Sequence, residues 1–195
     1  ALPTALGMLH SPDLCERLRG VIALDGIADP RAVEPLREAL DGADVDVPIA
    51  VTDLASTTLR QAILFALAPL EPDGGSTVAR FAKEGPGAAR IEALNALDEV
   101  AQTRKLRPDE NDALIETVRH GSDREAMRAG GPIEIAGSRE AVKELLAWEE
   151  EFVRRKMGWS TDEEDGEDNE EKGKRPIKEK KKKGKEMQPK KGTKK

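Results

Sequence analysis

The chain has no tyrosine, one cysteine and two histidines, and its aromatic residues are Phe65, Phe81, Trp148, Phe152 and Trp159 alone. Each shortage excludes something. Cys15 by itself can form no intrachain disulfide and supplies no thiolate set for zinc; between Leu14 and Leu18 it reads as a small core residue. His10 precedes Ser11 and His120 precedes Gly121, so neither a metal cluster nor a catalytic triad is expected, and both histidines read as helix-end residues. So few aromatics argue against a base-stacking platform for nucleic acid. No apolar run approaches the roughly 18 residues of a bilayer span. No positively charged, hydrophobic leader opens the chain, and Ala1 reads as a processed start or a fragment boundary. The expectation is a soluble, cytoplasmic protein.

Catalytic signatures are equally scarce. Residues 1–159 contain neither GxGxxG nor GxxxxGK[ST], and Lys172, Gly173 and Lys174 lie in a charged tail. The acids Glu149, Glu150 and Glu151 read as a solvated helix face. The chain is therefore read as a non-enzyme without cofactor or metal.

What is present is a repeat. The segments LCERLRGVIALDGI, TLRQAILFALAPL, ARIEALNALDEV and the more degraded DREAMRAGGPIEI align when Ile27, Leu70, Val100 and Ile135 share a column. Arg17, Arg60, Arg90 and Glu125 then share a column ten positions earlier. Leu24, Leu67 and Leu97 form another, preceded by Ala23, Ala66 and Ala96, with Val21, Leu64 and Leu94 three positions before the leucines. That spacing is helical. After each copy comes a second apolar segment, in which Val33, Val78, Ile115 and Val142 precede Leu36, Phe81, Val118 and Leu145 by three. The unit is a helix pair, repeating at intervals of 43, 30 and 35 residues, within the range of stacked helical repeats. Neither helix buries its stripe alone, so neighbouring pairs must stack.

Helix starts are well marked. Residues 3–9 end a helix. Ser11, Pro12 and Asp13 open the next, and Asp29 with Pro30 opens one that stops near Gly42. Asp73 before Ser76, Pro108 and Asp109 before Ala113, and Ser138 before Ala141 repeat the pattern. Two connections, 42–53 and 102–112, are longer than usual. In the first, Val45, Val47, Ile49 and Val51 alternate with polar or small residues, which suits either an extended segment or a helix beginning at Pro48. Gly130, Gly131 and Pro132 are expected to break the fourth repeat's first helix. A last helix is expected to offer Leu145, Leu146, Trp148 and Phe152 to the preceding pair.

After Trp159 the composition changes. Positions 162–171 hold eight acids, and 172–195 hold thirteen bases against two acids. The boundary is set there: a helical domain over 1–159 and a disordered, acidic-then-basic tail over 160–195. Of the chain's 32 bases and 38 acids, the tail from 161 takes 13 and 10, which leaves the body with 19 and 28, a net charge of −9.

The stretch ADPRAVEPLREALDG, residues 28–42, with GSREAVKELL, ARIEALNAL and LRQAILFAL behind it, resembles the HEAT-like repeats of the phycobilin-lyase type. These read roughly Asp-Pro-x-Ala-Val-x-x-Leu in one helix and Arg-x-x-Ala-x-x-Ala-Leu in the other. The resemblance spans about residues 3–150. It implies an all-α fold, an α-solenoid of about four stacked antiparallel helix pairs in a right-handed superhelix, and protein partners. It also implies that Arg17, Arg60 and Arg90 bridge to acids of neighbouring repeats. The His-Glu dipeptides of di-iron HEAT-repeat hydroxylases are missing, and a body this poor in aromatics is ill suited to a lyase's chromophore pocket.

Two functions are weighed. In the first, the helix-repeat surface is a non-catalytic scaffold for a partner protein, with contacts at Arg19, Gln61, Glu92, Asn95 and Glu99; the acidic body favours a basic partner. In the second, the tail grips a polyanion such as nucleic acid without sequence preference, through Arg175, Lys178, Lys180, Lys181, Lys182, Lys183 and Lys185.

Overall fold

A computed structural model describes residues 1–52 and 55–158. The tail residues named above, Arg175 to Lys185, and Trp159 lie outside the described residues. The body is built of helices: α1 (Leu2–Met8), α2 (Leu14–Ile27), α3 (Val33–Leu40), α4 (Leu59–Leu67), α5 (Asp73–Glu84), α6 (Gly87–Ala101), α7 (Pro108–His120), α8 (Asp123–Ala136) and α9 (Arg139–Met157). A small antiparallel hairpin, β1 (Pro48–Thr52) with β2 (Ala55–Thr58), lies between α3 and α4. All-α is thus the fold class, with one hairpin added.

The helix starts follow the predicted chemistry. Asp13 accepts the Cys15 amide, Asp29 that of Arg31, Ser138 that of Ala141. Ser122 and Glu125 form a capping box. At Asp73 the reading shifts by one position: Pro72 is the cap and Asp73 is the first helical residue, an acid at a helix N-terminus.

The helices form two rows. In the first, α2 packs on α4, α4 on α6 and α6 on α8; in the second, α3 touches α5, α5 packs on α7 and α7 on α9. The repeat columns explain the contacts. Leu24, Leu67 and Leu97 are completely buried, as are Leu64 and Leu94, with Val21 nearly so. From the second row, Leu36, Val78, Ile115, Val118 and Leu145 join the same core. Helix α1 covers α2: a Cβ at Gly20 would stand 3.0 Å from the Ala5 carbonyl oxygen.

Four expectations need correction. Leu146 of α9 does not face the preceding pair but is 59% exposed, one position off the stripe of Ala141, Leu145 and Trp148. Helix α8 runs from Asp123 through Pro132 to Ala136 without interruption. Gly131 serves packing: a Cβ there would lie 2.7 Å from Asp98 Oδ1 of α6, so the packing of α8 on α6 offsets the helical cost of Gly-Gly-Pro. Cys15 is exposed, because it lies one position off the stripe of Leu14, Leu18 and Val21. Ile135 is also exposed, since no later first-row helix follows α8 among the described residues. Of the two readings of 42–53, the extended one holds. Pairing Pro48 with Thr58 and Ile49 with Thr57 buries Ile49, and Val45 is buried just before it, while Val47 and Val51 face outward.

Ion pairs tie the rows laterally. Arg17 and Arg60, from different repeats, hold Asp44 and Asp46 of the segment leading into β1, and Arg90 reaches Glu125 of α8 at 3.1 Å. A second network joins α7 to the start of α5. Glu110, with no exposed surface, takes Arg104 at 2.7 and 2.8 Å and the Arg107 amide at 2.8 Å, while Arg107 donates to Ser76 and to the Pro72 carbonyl.

Glu110→Ala removes the acid that meets both the Arg104 guanidinium and the Arg107 amide, and is expected to cost about 3–5 kcal/mol in urea unfolding. Leu97→Ala, opening a cavity in the shared leucine column, should cost about 2–5 kcal/mol by the same measurement.

Candidate partner-binding edge

Because the first-row helices repeat in register, their C-terminal ends recur at one edge of the row. The negative end of a helix dipole favours a base in the last turn. Every second-row helix complies, with Arg37 in α3, Lys83 in α5, Arg119 and His120 in α7, and Arg154, Arg155 and Lys156 in α9. No first-row helix does. Three of the four carry acids instead: Asp25 in α2, Asp98 and Glu99 in α6, Glu134 in α8. The arrangement opposes the local field.

Between α2, α4 and α6 this edge is hollowed into a cleft of about 130 Å³. Phe65, half-buried, and the buried Ala96 and Val100 give it an apolar lining, and Asp25, Glu99 and Thr103 bring polar groups. The Thr103 hydroxyl is turned inward, donating to the Val100 carbonyl at 2.9 Å. Among the described residues neither Asp25 nor Glu99 has an ion-pair partner. Although Asp25 is an exposed residue, partial desolvation by its surroundings pushes its carboxyl above the usual range. Two unpaired carboxylates beside an aromatic wall are complementary in charge and shape to a cation with an apolar stem, such as a lysine or arginine side chain.

No protein-family model matches the chain, and no curated protein matches it.

The sequence-predicted contacts fall in three places. Glu99 lies in the cleft. Gln61 and Glu92 are brought together at the end of β2: the Thr57 hydroxyl donates to Gln61 Oε1 at 3.0 Å, and that of Thr58 to Glu92 Oε1 at 3.1 Å. Burial pushes the Glu92 carboxyl up, against the opposing pull of Thr58 and Arg60, and its second oxygen is buried without a hydrogen bond. Glu92 is thus committed to the interior contact between α6 and the hairpin. Arg19, exposed, and Asn95, half-buried, have no polar side-chain partner among the described residues. Sequence reasoning passed over Asp25 and Phe65. The missed signal was positional: an acid in the last turn of a helix is informative only when the neighbouring helices repeat the exception.

Among the described residues no group of three His, Cys, Asp or Glu side chains is placed to hold a metal, and no helix is long and apolar enough to cross a membrane.

Asp25→Asn relieves both the dipole conflict and the desolvation. It is expected to stabilise the protein near neutral pH by about 0.3–1 kcal/mol. A folded-state carboxyl raised above its unfolded value keeps its full contribution in acid and loses it as pH rises through the raised pKa. The gain from Asn should therefore be absent below the carboxylate range and open above it, which thermal melts across pH would show.

Proposed function

We propose that the body is a non-catalytic protein-interaction scaffold, a HEAT-like solenoid whose first-row edge holds a basic segment of a partner protein. The observation that carries this reading is the acid-lined cleft at Asp25, Phe65 and Glu99, built where helix electrostatics disfavour acids. A residue kept at a cost to stability points to a role outside the fold. The net charge of −9 on residues 1–160 would speed the approach of a basic partner, with an effect that fades as salt rises. Arg19 and Asn95 would extend the contact along the first row. A cytoplasmic setting belongs to the same proposal.

A second reading rests on the composition of the tail. Thirteen bases against two acids over 172–195 would neutralise phosphates without reading sequence, so polyanion association through Arg175, Lys178, Lys180 to Lys183 and Lys185 would be steeply salt-dependent.

The two separate in a capture experiment from source lysate, treated with nuclease, using the full chain, a chain ending at Trp159 and the variant Asp25→Lys/Glu99→Lys. A partner that survives nuclease, stays with the shortened chain and binds the charge-reversed variant about tenfold more weakly is expected. Capture that disappears with the tail or with nuclease, or that ignores the charge reversal, overturns the scaffold reading.

A further inference from the structure

A second cleft, of about 460 Å³, lies between the start of α8 and the C-terminal half of α9. Its charge is opposite to that of the first. Arg124, Arg128 and Lys156 line it against one acid, Asp123, and Asp123 is already engaged by Arg155 at 3.1 Å and Lys156 at 3.8 Å. Arg124 and Arg128 are exposed and without an acid partner among the described residues. They stand one helical turn apart, where like charges repel, and Arg124 lies in the first turn of α8, where a base opposes the helix dipole. The fold itself has no use for either charge at these positions.

The apolar part of the cleft decides among anions. Met127, 61% exposed, stands between the two arginines in sequence, and its flexible thioether suits an adaptable contact. Phe152 also lines the cleft, but its ring is already engaged: Trp148 stacks on it with centroids 5.0 Å apart, and the Lys156 ammonium lies 5.4 Å from its centroid. The ring that lines the cleft is therefore a poor stacking platform for a nucleobase, the usual anchor of single-stranded nucleic acid. What the cleft offers is two unpaired guanidinium forks, suited to bidentate carboxylates, around an exposed methionine.

We infer that this cleft is a binding site for an acidic peptide segment of a partner protein, with carboxylates held by Arg124 and Arg128 and an aliphatic side chain laid on Met127. The site is separate from the acid-lined edge and does not depend on it.

The test measures anisotropy of a short fluorescein-labelled peptide of Glu-Glu-Leu repeats with the full chain at physiological ionic strength. Arg124→Ser/Arg128→Ser should weaken binding about tenfold, while Lys105→Ser/Arg139→Ser, which removes the same charge elsewhere, should leave it within about twofold. Met127→Ser should lower affinity for this peptide and leave that for an all-Glu peptide unchanged. All three sets of positions are exposed, and thermal melts establish that the variants are folded. The inference is overturned if the peptide does not bind, if both double variants weaken it alike, or if neither does, which would place the contact elsewhere, including the lysine-rich stretch 172–195. It is also overturned if oligo-dT, and not the peptide, loses affinity with the arginine pair.

Discussion

Everything in this body depends on one packing constraint: a helix whose apolar stripe is covered only by the neighbouring helices of both rows. Leu67 of α4 cannot be buried by its own repeat. It reaches zero exposure because α2 and α6 flank α4 and the second row covers what remains. The same demand is placed on Leu24 and Leu97, which is why a leucine recurs there while the positions between drift. Stability in such an array is approximately the sum of what each repeat forms internally and what each junction buries. A substitution in the leucine column therefore weakens two junctions at once.

The ion pairs occupy a different level. Arg17, Arg60 and Arg90 each place an Nε in the interior without a hydrogen-bond partner and direct the charged end to an acid. Leaving a buried donor unpaired costs about 1–3 kcal/mol, so these arginines are better understood as setting register than as adding stability. Two of them grip Asp44 and Asp46 from adjacent repeats. The long connection is thereby fixed on both sides, and Val45 and Ile49 are directed into the core. A segment that breaks the repeat spacing is held by the residues that define the repeat.

Most of the helical framework was legible in the sequence because two signals recur along it: apolar columns at helical spacing, and capping residues before α2, α8 and α9. What escaped was whatever depends on a single contact. Pro132 looks like a terminator until α6 is seen pressed against Gly131, and Cys15 looks interior until the stripe of α2 is placed one position away. The hairpin was half legible, since alternation in 45–51 identified extended chain but not its pairing with 55–58. The network of Glu110, Arg104 and Arg107 was invisible, because its members lie in a connection and a first turn, where charged residues ordinarily signify solvent. Of the site, Glu99 was legible as an exposed polar position, whereas Asp25 and Phe65 acquire meaning only when α2, α4 and α6 converge on one cleft.

That convergence bears on where a contact surface can be read along helices that repeat in sequence. Buried columns answer to packing and say little about partners. Exposed charges are numerous and mostly neutral in effect, since an isolated surface pair contributes about 0–1 kcal/mol. The informative residues are those placed against the field of the helix that bears them. Asp25, Asp98, Glu99 and Glu134 all stand at negative helix ends, and Arg124 stands at a positive one. Each forgoes about 0.3–1 kcal/mol relative to the opposite charge, a small amount singly but a consistent one across the row. A ligand of complementary charge recovers that loss on binding, so the free protein's unfavourable electrostatics become part of its affinity. On the two readings proposed above, the acid edge and the arginine cleft are instances of one relation, in which the surface is least suited to the isolated chain at the positions best suited to a bound one.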